Sequence, residues 1–330
     1  MTEIAIKENK INHGNSNSFS SIIILIISLS FAILIGSGFY GYGHDFYYSY
    51  NKHNLDWGGI FNRLGWILST FSINGVHLGV QIVTFILSLS SGFLLREHIK
   101  FKQSYSFIFF IILYIVAIHT WPIIMSTSNA MRQGLSMSFI FATFITLSRR
   151  KYYWMLLYAL LAVLTHKSGL VLAAIAIFSS AIHRFLFEFS PSSKKIIHFC
   201  IGIFLLFTAY LFFRISGLEE VNNPSKIIGG DFRLAFLFIG VIYISLSFFF
   251  KSILANAFNL SLYYFSFIAP SLLINGLNWE YERLGMMMLI PYILSFGVLL
   301  NRNSYKLYLL ITFFLLLLLT FLTGMYASFR

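Results

Sequence analysis

Four polar clusters stand at the edges of apolar runs, and their residue types suit chemistry on a phosphate-bearing ligand. In SNAMRQGLSMSF, residues 128–139, Arg132 and Gln133 open a long apolar stretch. An arginine at the centre of a membrane helix costs about 2.5–3.5 kcal/mol on insertion scales, so this one either snorkels to the interface or meets a partner. Its planar fork takes phosphate oxygens two at a time, and Gln133 adds amide donors, which makes a lipid-linked phosphate or diphosphate a fitting ligand. LTHKSG, residues 164–169, sets His166 and Lys167 between two short apolar segments. There the histidine either caps the break or relays a proton and donates to phosphate near neutral pH, and the lysine is either interfacial or a second cation for the ligand. GYGHDFYYSYN, residues 41–51, carries Asp45 and then Tyr47, Tyr48 and Tyr50. The acid reads as a general base or a turn residue, and the tyrosines as an interfacial belt or as flat faces for sugar rings. NWEYERLG, residues 278–285, offers Glu280, Tyr281, Glu282 and Arg283 just before an apolar run. Acids there favour a helix dipole, and an acid beside a guanidinium also orients a site. Asp231 and Arg233 in GGDFRL repeat that idea more weakly.

The elements that must hold these groups are membrane helices. At 58% hydrophobic and 10% charged residues, with mean hydropathy +0.79 over 330 residues, the chain lies far from soluble averages and reads as an all-α polytopic membrane protein. A net charge of +12 would suggest nucleic acid in a soluble domain. Here the lysines and arginines recur at the ends of apolar runs, which points to anionic membrane lipids and excludes nucleic acid. Cys200 is the only cysteine, so neither an internal disulfide nor a thiolate cluster is available, and it reads as a small apolar residue within a span. Apolar runs of membrane-spanning character fall at 21–40, 75–95, 105–121, 130–147, 152–164, 169–182, 196–213, 234–250, 260–274, 284–300 and 307–323. This predicts about eleven transmembrane helices, with 152–164 and 169–182 forming a short helical hairpin hinged at THKS. WGGIFNRLGWILSTFS, residues 57–72, mixes Asn62 and Arg63 with aromatic and aliphatic residues and predicts an interfacial helix.

Residues 1–20 read as a polar cytoplasmic tail, and residues 21–330 as a single transmembrane domain without separating linkers. Alternating the spans puts fourteen of the 23 basic residues on one side, so the positive-inside rule predicts a cytoplasmic N-terminus and an external C-terminus. Seven of the eleven acids then fall outside, together with Arg132, His166, Lys167 and Arg283. GSGFYG, residues 36–41, matches a dinucleotide fingerprint literally but lacks the strand and the βαβ context, so its glycines are expected to serve helix packing and a turn. With no DxD pair and no HxxxH cluster, no metal or other cofactor is expected.

The order of these motifs, an Asp-aromatic-Tyr segment after the first span, RQG at the head of a helix, HKSG between short helices and YERLG before a late span, resembles the EpsG-like polysaccharide polymerases. That family is similar in role to the Wzy O-antigen polymerases. The likeness runs from about Tyr40 to Gly285. It departs at LDWGG, residues 55–59, where many members carry an acid-proline pair, and Asp56 is therefore left without a role. The resemblance implies a membrane glycosyltransferase in the bacterial inner membrane, with polyprenyl-diphosphate-linked oligosaccharides as donor and acceptor and a chain-length regulator as a protein partner. On that reading Asp45, His166 and Glu282 are the catalytic candidates, and Arg132, Gln133, Lys167, Arg283, Tyr48 and Tyr281 bind substrate. Two rival readings are a flippase for the same lipid-linked sugars, which needs charges along its transport path, and an acyltransferase with a buried histidine and a cytoplasmic donor site.

Overall fold

The apolar runs become helices whose limits follow the turn and capping signals around them. The computed structural model describes residues 2–39, 72–73, 76–98, 104–128, 130–166, 168–186, 190–216, 233–250 and 253–302. In chain order the helices are α1 (Thr2–Gly36), α2 (Leu78–His98), α3 (Ser104–Ile118), α4 (Trp121–Ser128), α5 (Met131–Ser148), α6 (Tyr152–Thr165), α7 (Ser168–Phe185), α8 (Pro191–Ile215), α9 (Arg233–Phe249), α10 (Ala257–Ile274) and α11 (Asn278–Arg302). A two-residue antiparallel pair, β1 (Ser72–Ile73) and β2 (Val76–His77), leads into α2. Ser190 caps α8 by accepting from the Ser193 N–H, with proline at the first helical position. Asn256 caps α10 by accepting from the Asn259 N–H.

Side-chain contacts between helix ends set the directions of packing. Arg96 near the end of α2 bonds Ser21 in α1, and Gly36 at the end of α1 lies against Gln81 in the first turn of α2, so the two helices are antiparallel. The ends of α2 and α5 are tied by Glu97 and Arg149. Phe258, in the first turn of α10, meets His98 and Phe144 near those same ends. Arg184 at the end of α7 stacks on Tyr152 at the start of α6. Lys195 in α8 donates to the Phe248 carbonyl near the end of α9, and Asn275, just past α10, donates to the Tyr210 carbonyl in the last turns of α8. The bundle therefore has a basic end, where α2, α5, α7 and α9 finish, and a second end, where α2, α5, α7, α9 and α11 begin.

Burial is uneven in a way that explains the composition. α5 and α10 are largely enclosed, whereas α8 presents Phe204, Phe207, Phe212 and the free Cys200 outward. Many polar atoms of the enclosed helices are satisfied internally, because lipid offers no partners. Ser136 Oγ donates to the Ala162 carbonyl at 3.0 Å, and Ser138, Thr143 and Thr146 donate to carbonyls one turn back. Between α9, α10 and α11, the fully buried Tyr243 hydroxyl lies 2.8 Å from Ser295 Oγ, which in turn donates to Asn259 Oδ1 at 2.9 Å.

Among the described residues the fold is thus all-helical apart from the two-residue pair. Among the described residues five helices are long and apolar enough to cross a membrane: 19–36, 78–98, 168–185, 193–215 and 257–274. Residues 107–118, 152–165 and 234–249 form shorter apolar helices. The helices at 131–148 and 278–302 coincide with the expected spans 130–147 and 284–300 and are not among these five; the head of the first carries Arg132 and that of the second Glu280, Glu282 and Arg283. The expected last span, 307–323, and nearly all of the interfacial helix at 57–72 lie outside the described residues. Two features differ from expectation. α1 continues back through the polar tail to Thr2, since extending an existing helix avoids the cost of a new nucleus. The apolar run ending at 121 breaks at His119–Thr120, and α4 starts afresh with Pro122 in its first turn.

Candidate functional site

The second end of the bundle holds the described candidates. α5 starts there without a side-chain cap, its N-cap being Ala130. Arg132 lies half-buried in its first turn, while Gln133 is 2% exposed and its Nε2 is buried with no hydrogen-bond partner among the described residues. One turn further on, Ser136 reaches the end of α6 through the Ala162 carbonyl. That contact brings the RQG turn beside the hinge of the helical hairpin.

At the hinge, His166 ends α6 in extended backbone, φ −154° and ψ 139°. Its carbonyl accepts from the Gly169 N–H at 2.9 Å, and its ring Nδ1 accepts from the Ser168 N–H at 3.2 Å. An Nδ1 that accepts carries no proton, so the neutral ring holds its proton on Nε2. His166 therefore offers a donor at Nε2, as suits a phosphate oxygen, and not a basic lone pair there. Ser168 opens α7 at 3% exposure, with its Oγ lacking a hydrogen-bond partner among the described residues.

α11 starts at the same end and packs against α2, α3, α4, α5, α7, α9 and α10. In its first two turns Glu282 and Tyr281 are each 2% exposed, and Glu280 and Arg283 are half-buried. Tyr281 lines a narrow, mainly apolar cleft between α9, α10 and α11, with Phe236, Ile239, Phe265, Gly285 and Tyr292.

Each motif ends in a glycine that makes a close approach. A Cβ on Gly134 would stand 2.2 Å from the Ser126 carbonyl oxygen of α4, and one on Gly169 would stand 2.4 Å from the Ala162 carbonyl oxygen. On Gly285 it would meet the Phe236 ring at 2.4 Å. The polar residues of RQG, HKSG and YERLG are thus held on closely seated helix starts, the first two against backbone at distances that only glycine permits and the third against the Phe236 ring. Gly36 seats α1 on Gln81, and Gly38 turns the chain at φ 79°, which are the packing and turn roles expected of GSGFYG within the described residues.

Arg132, Gln133, His166, Tyr281, Glu282 and Arg283 therefore gather at one end of the bundle. Asp45, Tyr48 and Lys167 lie outside the described residues. Sequence reasoning passed over Ser168, although it stands inside HKSG, and Ser136, whose spacing of three from Gln133 puts it on the same helix face. His77, which closes β2 ahead of α2, was passed over too. No protein-family model, no curated protein and no solved structure matches this chain.

Proposed function

We propose that this chain is a membrane glycosyltransferase that polymerises polyprenyl-diphosphate-linked oligosaccharide repeat units at the outer face of the bacterial inner membrane, with its N-terminus in the cytoplasm. The observation that carries the reading is the gathering of RQG, HKSG and YERLG, distant in sequence, on glycine-seated helix starts at one end of an apolar bundle. The order of these motifs, which resembles that of the EpsG-like polymerases, supports the same reading.

In the proposed reaction a hydroxyl of the incoming lipid-linked unit attacks the anomeric carbon of the growing chain. The bond from that carbon to the diphosphate breaks, and polyprenyl diphosphate leaves. Arg132 takes the departing diphosphate with its fork, and the Gln133 amide and His166 Nε2–H donate to the same oxygens. A carboxylate takes the hydroxyl proton. Glu282 is assigned that role, with Asp45 as the other candidate, because the proton on His166 Nε2 leaves no basic lone pair at that nitrogen.

A transporter of the same lipids would need charged or ion-binding groups along the middle of its helices. Among the described residues, the charged side chains of the spanning helices stay within about two turns of a helix end. The test is reconstitution of the pure protein in vesicles with a polyprenyl-diphosphate-linked oligosaccharide. A ladder of lengthening saccharides with release of polyprenyl diphosphate is expected, and movement of the lipid across the bilayer without lengthening would assign transport instead.

A further inference from the structure

The basic end of the bundle carries a second arrangement that the proposed reaction does not use. The turn from α5 to α6 presents Arg149, Arg150 and Lys151 in succession, all exposed. Arg150 sits at φ 59°, the one positive φ on a residue other than glycine among the described residues. Its N–H bonds the Leu147 carbonyl at 3.0 Å, and the Lys151 N–H bonds the Thr146 carbonyl at 2.9 Å, which makes Arg150 the left-handed residue that closes the helix. Glycine is the lower-energy choice at such a position, so the chain keeps a guanidinium where its backbone favours none.

Two other segments bring cations to the same place. Arg184, in the last turn of α7, lies with its guanidinium carbon 3.8 Å from the centre of the Tyr152 ring, next to Lys151. Lys194, in the first turns of α8, and Arg150 both lie near enough to His183 to act on it electrostatically. The carboxylate described here, Glu97, is engaged by Arg149, whose Nε and Nη2 donate to it at 2.9 and 2.7 Å. Beside the cations, apolar side chains face outward: Tyr153 is 91% exposed, Phe185 74% and Trp154 53%. Positive charge set above outward aromatic groups matches the two parts of a phospholipid, an anionic head and acyl chains.

We propose that the α5–α6 turn, the end of α7 and the start of α8 form a binding site for an anionic phospholipid, its headgroup phosphate held by Arg150, Lys151 and Arg184 and its acyl chains lying along Trp154 and Phe185. The site is independent of the glycosyltransferase reading.

The experiment is native mass spectrometry of the full chain taken from nanodiscs containing equal phosphatidylglycerol and phosphatidylcholine. Wild type is expected to keep phosphatidylglycerol at least tenfold over phosphatidylcholine, with inorganic phosphate at millimolar concentration failing to displace it. Arg150→Gly removes the charge and relaxes the backbone, so it folds at least as well and should lose that preference about tenfold; Lys151→Gln serves as a second variant and should lose it too. Equal retention of the two lipids, an unchanged preference in both variants, or displacement by inorganic phosphate, which would mean a small-anion site, overturns the proposal.

Discussion

Ser168 donates its backbone N–H to His166 Nδ1 at 3.2 Å, so the residue that ends α6 also caps the start of α7. The bond joins a structural role to a chemical one in a single side chain. It satisfies a helix-terminal donor, and it leaves the ring proton on Nε2.

Substitutions at this position separate the two roles. Asparagine reproduces an acceptor near Nδ1, whereas alanine reproduces nothing, and loss of a cap costs about 1 kcal/mol. His166→Asn is therefore expected to unfold at the wild-type temperature in detergent while polymer formation falls sharply. His166→Ala is expected to lose both. Normal polymer from His166→Asn would reduce His166 to a cap.

Arg132→Lys tests the fork. Lysine keeps the charge and loses the planar pair of donors, so a bidentate phosphate contact breaks while a snorkelling residue would hardly notice. Saccharides no longer than a few repeat units are expected at normal protein levels, read on a gel of surface polysaccharide. Wild-type chain lengths would remove Arg132 from the site.

Glu282→Gln keeps size and removes the titrating group from a residue that is 2% exposed. A general base contributes about 10²–10⁴-fold in rate, and a drop of that order is expected with lipid-linked substrate still bound. Asp45→Asn, measured alongside, decides the assignment. An active Glu282→Gln with an inactive Asp45→Asn moves the base to the first outer segment.

The three motif glycines should differ in tolerance. Gly134→Ala and Gly169→Ala drive a methyl into backbone carbonyls that have nowhere to move, with an expected cost of about 1–3 kcal/mol each. Gly285→Ala meets only the half-buried Phe236 ring, which can turn aside, and should cost less. Thermal unfolding in detergent gives the order, and equal losses at all three would contradict it.

The Tyr243 network makes a prediction about stability alone. Tyr243→Phe removes the 2.8 Å bond to Ser295 and the long 3.4 Å bond to the Asn259 carbonyl but leaves Ser295 donating to Asn259, for a net loss of about 1 kcal/mol. Ser295→Ala instead removes the donor to Asn259 Oδ1 and leaves the buried Tyr243 hydroxyl with only its 3.4 Å bond to the Asn259 carbonyl, for about 1–3 kcal/mol. Thermal unfolding that ranks the tyrosine variant as the worse of the two would reverse this account.

By itself the sequence determined the solvent of this chain and the positions of its helices. Runs such as 152–164 and 169–182, parted by THKS, became α6 and α7 within a few residues, because apolar length and a polar break act locally and lipid leaves the backbone no alternative to helix. RQG, HKSG and YERLG were equally legible, since charge and amide groups at the edge of an apolar run stand out against it. The break at His119–Thr120 was not, because Ile118 and Trp121 flank it with apolar surface and only Pro122 marks a new start. Tertiary structure alone decided which helix starts share an end and that the Gln133 amide and Ser168 hydroxyl are buried there. Those facts depend on contacts between residues far apart in the chain, such as Ser136 with Ala162 and Gly285 with Phe236, and on glycines whose missing Cβ shows its purpose only once a neighbour fills the space. Likewise, the sequence marked the cations of the basic end as interfacial, but only folding brought Arg150, Arg184 and Lys194 from three separate segments to one place.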